Sequence, residues 1–122
     1  MTQDTGVARV RTESDLIGAL DIAADAYWGV HTQRALENFQ ISGSTVGQFP
    51  ELVRALVSVK QAAARTNCSL GKLAPAKAAA IEAACGRILS NAAFNRQFVV
   101  DPIQGGAGTS TNMNANEVVA NV

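Results

Sequence analysis

The stretch GGAGTSTNMNANE, residues 105–117, concentrates groups that could bind an anion. Gly105, Gly106 and Gly108 can adopt positive φ, and without a Cβ they let a ligand approach the backbone. Three hydroxyls and three amides follow, at Thr109, Ser110, Thr111, Asn112, Asn114 and Asn116. A helix predicted to follow would direct unpaired N–H groups and its positive dipole end at the same place. This set of donors favours a small carboxylate over a nucleotide.

Two familiar phosphate-binding loops are excluded by their own requirements. The P-loop needs GxxxxGK[ST], but no lysine follows Lys77, and the dinucleotide fingerprint needs a third glycine that this stretch lacks. A purely structural turn with helix caps remains an alternative. Asn114 and Glu117 have the spacing of a capping pair, so the residue types alone leave both interpretations open.

Composition excludes several classes of partner. The 122 residues suit one domain, and 10 basic residues balance 10 acidic ones, which gives no electrostatic reason to expect nucleic acid or an anionic membrane as a partner. No apolar run approaches the roughly 20 residues that span a bilayer. The first residues lack the basic and apolar regions of a signal peptide. These features predict a cytoplasmic protein. Cys68 and Cys85 form no CxxC, so no zinc site is expected.

The N-terminal part of the chain is predicted to hold a hairpin and a short helix. VRTESDLIGALDIA carries Gly18 between short apolar groups, which indicates a small β-hairpin. A short helix is expected to begin at His31 or Thr32 and to run to Asn38. ISGSTVGQFP then reads as a loop, because Gly, Ser and Thr cluster there before Pro50.

Two longer helices are the clearest predictions. Pro50 suits a first helical position and Gly71 suits a stop. Apolar residues recur between them at helical spacing, namely Leu52, Leu56, Val59 and Ala63, widened by Val53 and Val57. The second helix has Pro75 in its first turn and an apolar face of Ile81, Ala84, Cys85, Ile88 and Ala92. The two faces are expected to pack together as a helical hairpin.

Two blocks of this sequence closely resemble the aspartase/fumarase superfamily. One is QFVVDPIQGGAGTSTNMNANEVVAN and the other is DAYWGVHTQRALENFQISG; the likeness covers nearly all of residues 11 to 121. Within the superfamily, GVHT and GAGTSTNMNANE are more similar to the aspartases. The fumarases more often have an AQT block and a GSGT loop.

The resemblance implies a fold and a reaction. Family members are largely helical homotetramers, and each subunit has long central helices that form a bundle. The fold expected here is mainly α, with a short β-hairpin plus a helical hairpin. The expected division is a disordered leader (1–10), an N-terminal lyase domain (11–108) and the start of a truncated central helical domain (109–122). The implied reaction is reversible elimination of ammonia from L-aspartate to give fumarate. It needs no organic cofactor, although divalent cations activate some members.

The resemblance also assigns roles to residues. Thr109, Ser110, Thr111 and Asn112 are implied to bind a substrate carboxylate, with Thr109 the foremost. The catalytic base is a serine expected downstream, so no catalytic residue is predicted in this chain, which is expected to be inactive alone. Fumarate hydratase and a non-catalytic truncated helical module remain the alternatives.

Several other residues carry two interpretations each. His31 either lies near the substrate or is a partly buried histidine that bonds backbone, and Arg34 either binds a substrate or inter-subunit carboxylate or forms a surface ion pair. Lys60 is expected to be solvated. Asp101 is expected to brace the glycine-rich turn through backbone N–H groups.

Overall fold

The computed structural model describes residues 8–122. Its two strands, four α-helices and two 3-10 helices follow in the order β1 (Val10–Ser14), β2 (Ala19–Ala23), α1 (Val30–Asn38), 3-10 (Val46–Gln48), α2 (Pro50–Ser69), α3 (Pro75–Ser90), 3-10 (Ala92–Gln97) and α4 (Thr109–Asn121). The mainly helical prediction is confirmed. Most of the leader predicted for residues 1–10 lies outside the described residues, and Val10 already belongs to β1.

The predicted hairpin is present as an antiparallel pair with Ser14 opposite Ala19. Gly18 takes a φ of 145°, which an L side chain rarely adopts. The Asp15 carboxylate accepts the N–H groups of Ile17 and Gly18 at 2.9 and 3.1 Å. The turn is therefore held both by a glycine and by an aspartate that bonds the backbone ahead of it.

The guanidinium of Arg11 fastens the hairpin to the segment that leads into α1. It donates to the carbonyls of Ala23, Ala26 and Trp28 at 2.9, 2.8 and 2.6 Å. Arginine suits this position because it offers five N–H donors in a fixed planar arrangement. These bonds fix the path of the chain into the first turn of α1.

The predicted helical hairpin is also confirmed, and both of its prolines occupy a first helical turn. Gly71 has a φ of 68°, and its N–H donates to the Cys68 carbonyl at 3.0 Å, which ends α2. Ala92, expected on the apolar face of α3, is exposed in the following 3-10 helix. The reason is that the Asn91 side chain accepts the Ala93 N–H and starts a new element there.

The face of α2 that packs inward is only part of the one predicted. Val53, Val57 and Ala64 are buried, whereas Leu52 and Val59 are 42% and 66% exposed. Two adjacent stripes of this helix share the same 3.6-residue period, so periodicity could not choose between them. Packing against α3 and α4 decides which stripe becomes core.

A buried seam joins the segment before α4 to the one before α2. Phe98 and Val100 are each 1% exposed, and their carbonyls accept the N–H groups of Gly47 and Val46 at 2.8 and 2.9 Å. A Cβ on Gly47 would lie 2.1 Å from the Asn95 carbonyl oxygen. The backbones therefore meet where only glycine fits, and this contact sets the position from which the chain runs to the glycine-rich stretch.

The adjacent aromatic residues Tyr27 and Trp28 pack against different parts of the fold. The rings of Tyr27 and Phe94 meet edge to face with centroids 5.5 Å apart, and Trp28 packs on a small second core around Ile22. Among residues 8–122, every helix is too short or too polar to cross a membrane.

Candidate carboxylate-binding site

The hydroxyl-rich segment lies in the first turn of α4. Gly106 and Gly108 have φ values of 68° and 79°, so the glycine turn (residues 105–108) depends on residues that tolerate the left-handed region. Gly108 is the N-cap of α4, which begins at Thr109. The capping pair predicted at Asn114 and Glu117 is therefore wrong. These side chains lie farther along α4 and bond other segments.

Buried Asn114 supports the approach to the glycine turn. Its carboxamide oxygen accepts the Val99 N–H at 2.9 Å, and its amide nitrogen donates to the Gln97 carbonyl at 2.9 Å. The side chain is fully buried, and a buried amide with satisfied partners fixes the groups that it bonds. Asn114 is therefore a structural residue that ties α4 to the segment before it.

The Gln104 side chain already accepts one of the N–H groups at the start of α4, that of Thr111. Its carboxamide oxygen accepts the Thr111 N–H at 3.0 Å, and its amide nitrogen donates to the Thr111 hydroxyl oxygen. The N–H groups of Thr109 and Ser110 have no hydrogen-bond partner within residues 8–122. The first turn therefore presents two backbone donors and their neighbouring hydroxyls to a ligand.

Asn112 is oriented by a lysine from α2. The Lys60 ammonium donates to the carboxamide oxygen of Asn112. An ammonium group has only donors, so it must meet the oxygen of the amide and leave the NH₂ group for another acceptor. Lys60, expected to be solvated, is thus half-buried beside a predicted site residue.

The available donors lie on an open side of the chain. Thr109 and Asn112 are exposed, as are all four residues of the glycine turn, and Ser110 is half-buried. An exposed helix terminus with unpaired N–H groups and hydroxyls can accept a carboxylate on one side. The described residues therefore present these donors to solvent on one side.

Asp101 bonds backbone N–H groups as predicted, but none of those in the glycine turn itself. Its carboxylate is 5% exposed and accepts the N–H groups of Ile41, Ser42 and Ile103 at 2.9, 2.7 and 2.8 Å. The Ser42 hydroxyl donates to it at 2.9 Å. Burial alone would raise the pKa of Asp101, but the N–H groups of Ile103, Ser42 and Ile41 and the Ser42 hydroxyl outweigh it and lower the pKa to about 2.

The depressed pKa of Asp101 predicts an acid-sensitive contribution to stability. A group whose folded pKa lies below its unfolded value of 3.8 stabilises the fold fully above that value. The contribution is lost as pH falls from there toward the folded pKa of about 2. Urea unfolding of the chain at several pH values should therefore show a steeper acid loss of unfolding free energy for wild type than for Asp101→Asn. Parallel profiles would contradict this assignment.

His31 lies away from the glycine turn. Its side chain is exposed, contrary to the partly buried alternative, and only its backbone N–H is bonded, to Glu117 Oε2 at 3.3 Å. Thr32 donates its N–H and its hydroxyl to Glu117 Oε1, both at 2.7 Å. Glu117 follows Thr109 by eight residues, about 12 Å along an α-helix. The structure therefore does not bring His31 to the first turn of α4.

Arg34 forms an ion pair, which is the second of its two interpretations. Its Nε and Nη2 donate to the two carboxylate oxygens of Asp15, each at 2.8 Å, and Nη2 also reaches the Gly18 carbonyl at 3.0 Å. The bonded guanidinium of Arg34 holds the pKa of Asp15 well below its usual range. Within this chain, Arg34 fastens the hairpin turn to α1.

Sequence reasoning missed a carboxylate clamp at the start of α1. Glu13 accepts the Val30 N–H at 3.1 Å, beside the bonds from His31 and Thr32 to Glu117. A Cβ on Gly29 would lie 1.9 Å from Glu117 Oε2 and 2.8 Å from Glu13 Oε2. The two carboxylates are far from α1 in the sequence, so spacing could not reveal them. Gly29, directly before α1, was the only local sign of a close contact there.

The described residues offer no cluster of metal ligands. Within residues 8–122, no group of three or more His, Cys, Asp or Glu side chains is placed to hold a metal ion. Cys68 and Cys85 are free thiols, and burial raises the pKa of the Cys85 thiol. A buried thiol of this kind is a poor nucleophile.

The model of a lyase family matches residues 18–122, which is most of the chain. The chain belongs to this lyase family. The match includes the glycine turn, the first turn of α4 and the start of α1, so this region has the sequence of a lyase.

Curated relatives of this chain are considerably longer than the chain itself. An aspartate ammonia-lyase of Pseudomonas canavaninivorans is 54% identical over 118 residues, which cover 97% of this chain and 25% of the relative. One from Pseudomonas aeruginosa is 57% identical over 116 residues, covering 95% of this chain and 24% of the relative. The chain thus spans about a quarter of the length of these relatives.

Solved structures of lyases share the fold. The fumarate lyase:delta crystallin of Brucella melitensis in native form superposes with a TM-score of 0.87 at 53% identity, covering 93% of this chain and 26% of that chain. A class II fumarase of Schistosoma mansoni gives 0.79 at 34% identity, covering 91% and 23%. The hairpin and the helices therefore form a recurring unit of longer lyases.

Proposed function

We propose that this chain acts as the N-terminal part of an aspartate ammonia-lyase and supplies a carboxylate-binding wall to its active site. The observation that carries the proposal is the first turn of α4, where the N–H groups of Thr109 and Ser110 have no partner within residues 8–122. Hydroxyls of the same residues lie beside them. The similarity to aspartate ammonia-lyases at 54–57% identity supports this substrate over other dicarboxylates.

The chemistry of ammonia elimination explains why such a wall is needed. A base removes a proton from Cβ of L-aspartate, α to one carboxylate, and negative charge builds on that carboxylate in an enediolate-like intermediate. The C–N bond then breaks and ammonia leaves, giving fumarate. Donors fixed beforehand around the carboxylate stabilise the developing charge without reorganising. Thr109, Ser110 and the NH₂ group of Asn112 are proposed to serve in this way.

Other parts of the active site are proposed to come from outside this chain. The base is expected to be a serine of a downstream segment, so the chain alone is expected not to turn over substrate. Assembly as a homotetramer in the cytoplasm would place the wall opposite those segments. The openness of the α4 first turn supports this arrangement, because Thr109 and the glycine turn are exposed on one side.

A pair of chimeras tests the proposal. In one, this chain replaces the matching quarter of the Pseudomonas aeruginosa aspartate ammonia-lyase; in the other, it replaces that of the Schistosoma mansoni class II fumarase. Fumarate formation from L-aspartate or L-malate is followed by ultraviolet absorbance. We expect activity from the first chimera, and none from this chain alone or from the truncated host enzyme.

The outcomes separate the proposal from its alternatives. Activity from the fumarase chimera only would replace the proposed substrate with malate. Folded but inactive chimeras of both kinds would assign the chain to the non-catalytic helical modules. The fumarase alternative is retained because of the structural likeness at 34% identity.

A further inference from the structure

Gln104 bonds the first turn of α4 from outside it. Its side chain accepts the Thr111 N–H at 3.0 Å and donates to the Thr111 hydroxyl oxygen and to the Asp101 carbonyl, the latter at 3.0 Å. We propose that Gln104 is a positioning residue of the carboxylate site, which sets the register in which an anion binds the α4 terminus. This inference rests on the proposed function.

The register follows from counting the donors of the helix terminus. The first residues of an α-helix have N–H groups without helical partners, and a carboxylate could settle on any neighbouring pair of them. Gln104 removes the third of these groups, that of Thr111, from competition. An anion is then directed to the N–H groups of Thr109 and Ser110, next to the Thr109 hydroxyl.

Gln104 also connects buried Asp101 to the first turn of α4 through hydrogen bonds. Asp101 is held by Ile41, Ser42 and Ile103, as described above, and its carbonyl accepts the amide of Gln104. Between Gln104 and Thr109 lies the glycine turn, which has few side chains with which to define its own shape. A Cβ on Gly105 would lie 3.2 Å from the Phe39 ring, so one side of the turn is also packed closely.

The chemistry of the position calls for glutamine rather than glutamate. One end of the side chain must accept a hydrogen bond and the other must donate two, which a neutral amide does and a carboxylate does not. Glutamate could still accept the Thr111 N–H. It would lose both donated bonds and place a negative charge beside the bound substrate carboxylate.

The test uses the aspartate ammonia-lyase chimera with two variants, Gln104→Met and Gln104→Glu. Methionine keeps the length of the side chain and removes all three bonds. We expect kcat/KM for L-aspartate to fall about tenfold to a hundredfold with methionine, because misplaced donors stabilise the transition state poorly. Glutamate should raise KM further at neutral pH. Lowering the pH should recover part of that loss relative to wild type, because a protonated carboxyl regains a donor.

A matched control is Gln48→Met, since Gln48 is exposed and its side chain has no hydrogen bond within residues 8–122; its kcat/KM should equal that of wild type. The inference is overturned if Gln104→Met keeps kcat/KM within twofold of wild type, or if Gln104→Glu shows the same KM as Gln104→Met at every pH. The second criterion does not depend on stability, because a mere loss of folding would not produce a pH-reversible KM. An inactive wild-type chimera would instead overturn the proposed function, and the role given to Gln104 with it.

Discussion

Thr109→Ala in the aspartate ammonia-lyase chimera is expected to lower kcat/KM for L-aspartate by about 100- to 1,000-fold. The loss corresponds to about 2.7–4 kcal/mol, the usual effect of removing one donor from a developing oxyanion. Thr109 is exposed at the first position of α4. The measurement is steady-state kinetics beside thermal unfolding, and the melting temperature should change little because the side chain packs against no core.

Two variants sharpen the test of Thr109. Thr109→Ser keeps the hydroxyl and should retain most of the activity. Thr66→Ala removes an exposed threonine of α2 and should leave the kinetics unchanged. Equal rates for Thr109→Ala and wild type would return the glycine-rich stretch to its alternative, a structural turn with no part in binding.

Gly47→Ala is expected to cause the largest loss of stability. A Cβ at this position would lie 2.1 Å from the Asn95 carbonyl oxygen and 3.0 Å from that of Phe98. Both are backbone atoms of a packed segment, so they cannot rotate away as the end of a side chain could. Breaking the bond between Gly47 N–H and the Phe98 carbonyl would add to the strain. The unfolding free energy should fall by about 3 kcal/mol, measured by urea denaturation.

Gly86→Ala is the matched control with the opposite sign. A Cβ on Gly86 would meet no atom within 4 Å, and the residue lies inside α3. Alanine should therefore stabilise the chain by about 0.5–1 kcal/mol, the ordinary gain for a glycine in a helix. If both variants changed stability in the same direction and by similar amounts, the close approach at Gly47 would be refuted.

The parts of the fold that were predictable are those fixed by local chemistry. Pro50 and Pro75 mark the helix starts because proline fits a first turn and little else in a helix. Gly18 and Gly71 mark turns because their φ values are positive. These signals need no knowledge of distant residues, and the structure confirms each of them.

Features that depend on distant partners could not be read in the same way. The inward face of α2 is narrower than the predicted one, because both stripes within it have helical period and only contact with α3 and α4 selects Val53 and Val57 over Leu52. The partner of Arg34 was left open because Asp15 lies 19 positions earlier, across a turn. Sequence spacing contains no measure of such distances.

The position of the donor-rich segment at the start of a helix was predicted, and its hydrogen bonding was predicted less well; that it binds a carboxylate stays a prediction. Glycines, hydroxyls and amides pointed to an anion-accepting segment, and the structure places Thr109, Ser110 and Asn112 together at the start of α4. Thr111 is already bonded by Gln104, and Asn114 is buried as a brace. Side chains of one residue type thus have different tasks, which depend on whether a neighbour already satisfies them.

The bond between Glu117 and the start of α1 has a practical consequence for ligand placement. There the Glu117 carboxylate accepts hydrogen bonds from the N–H groups of His31 and Thr32 and from the Thr32 hydroxyl. The opening of α4 presents the same types of group in Thr109 and Ser110. The hydrogen-bond geometry around Glu117 therefore gives a template for placing a bound carboxylate at the start of α4 in docking or in electron density.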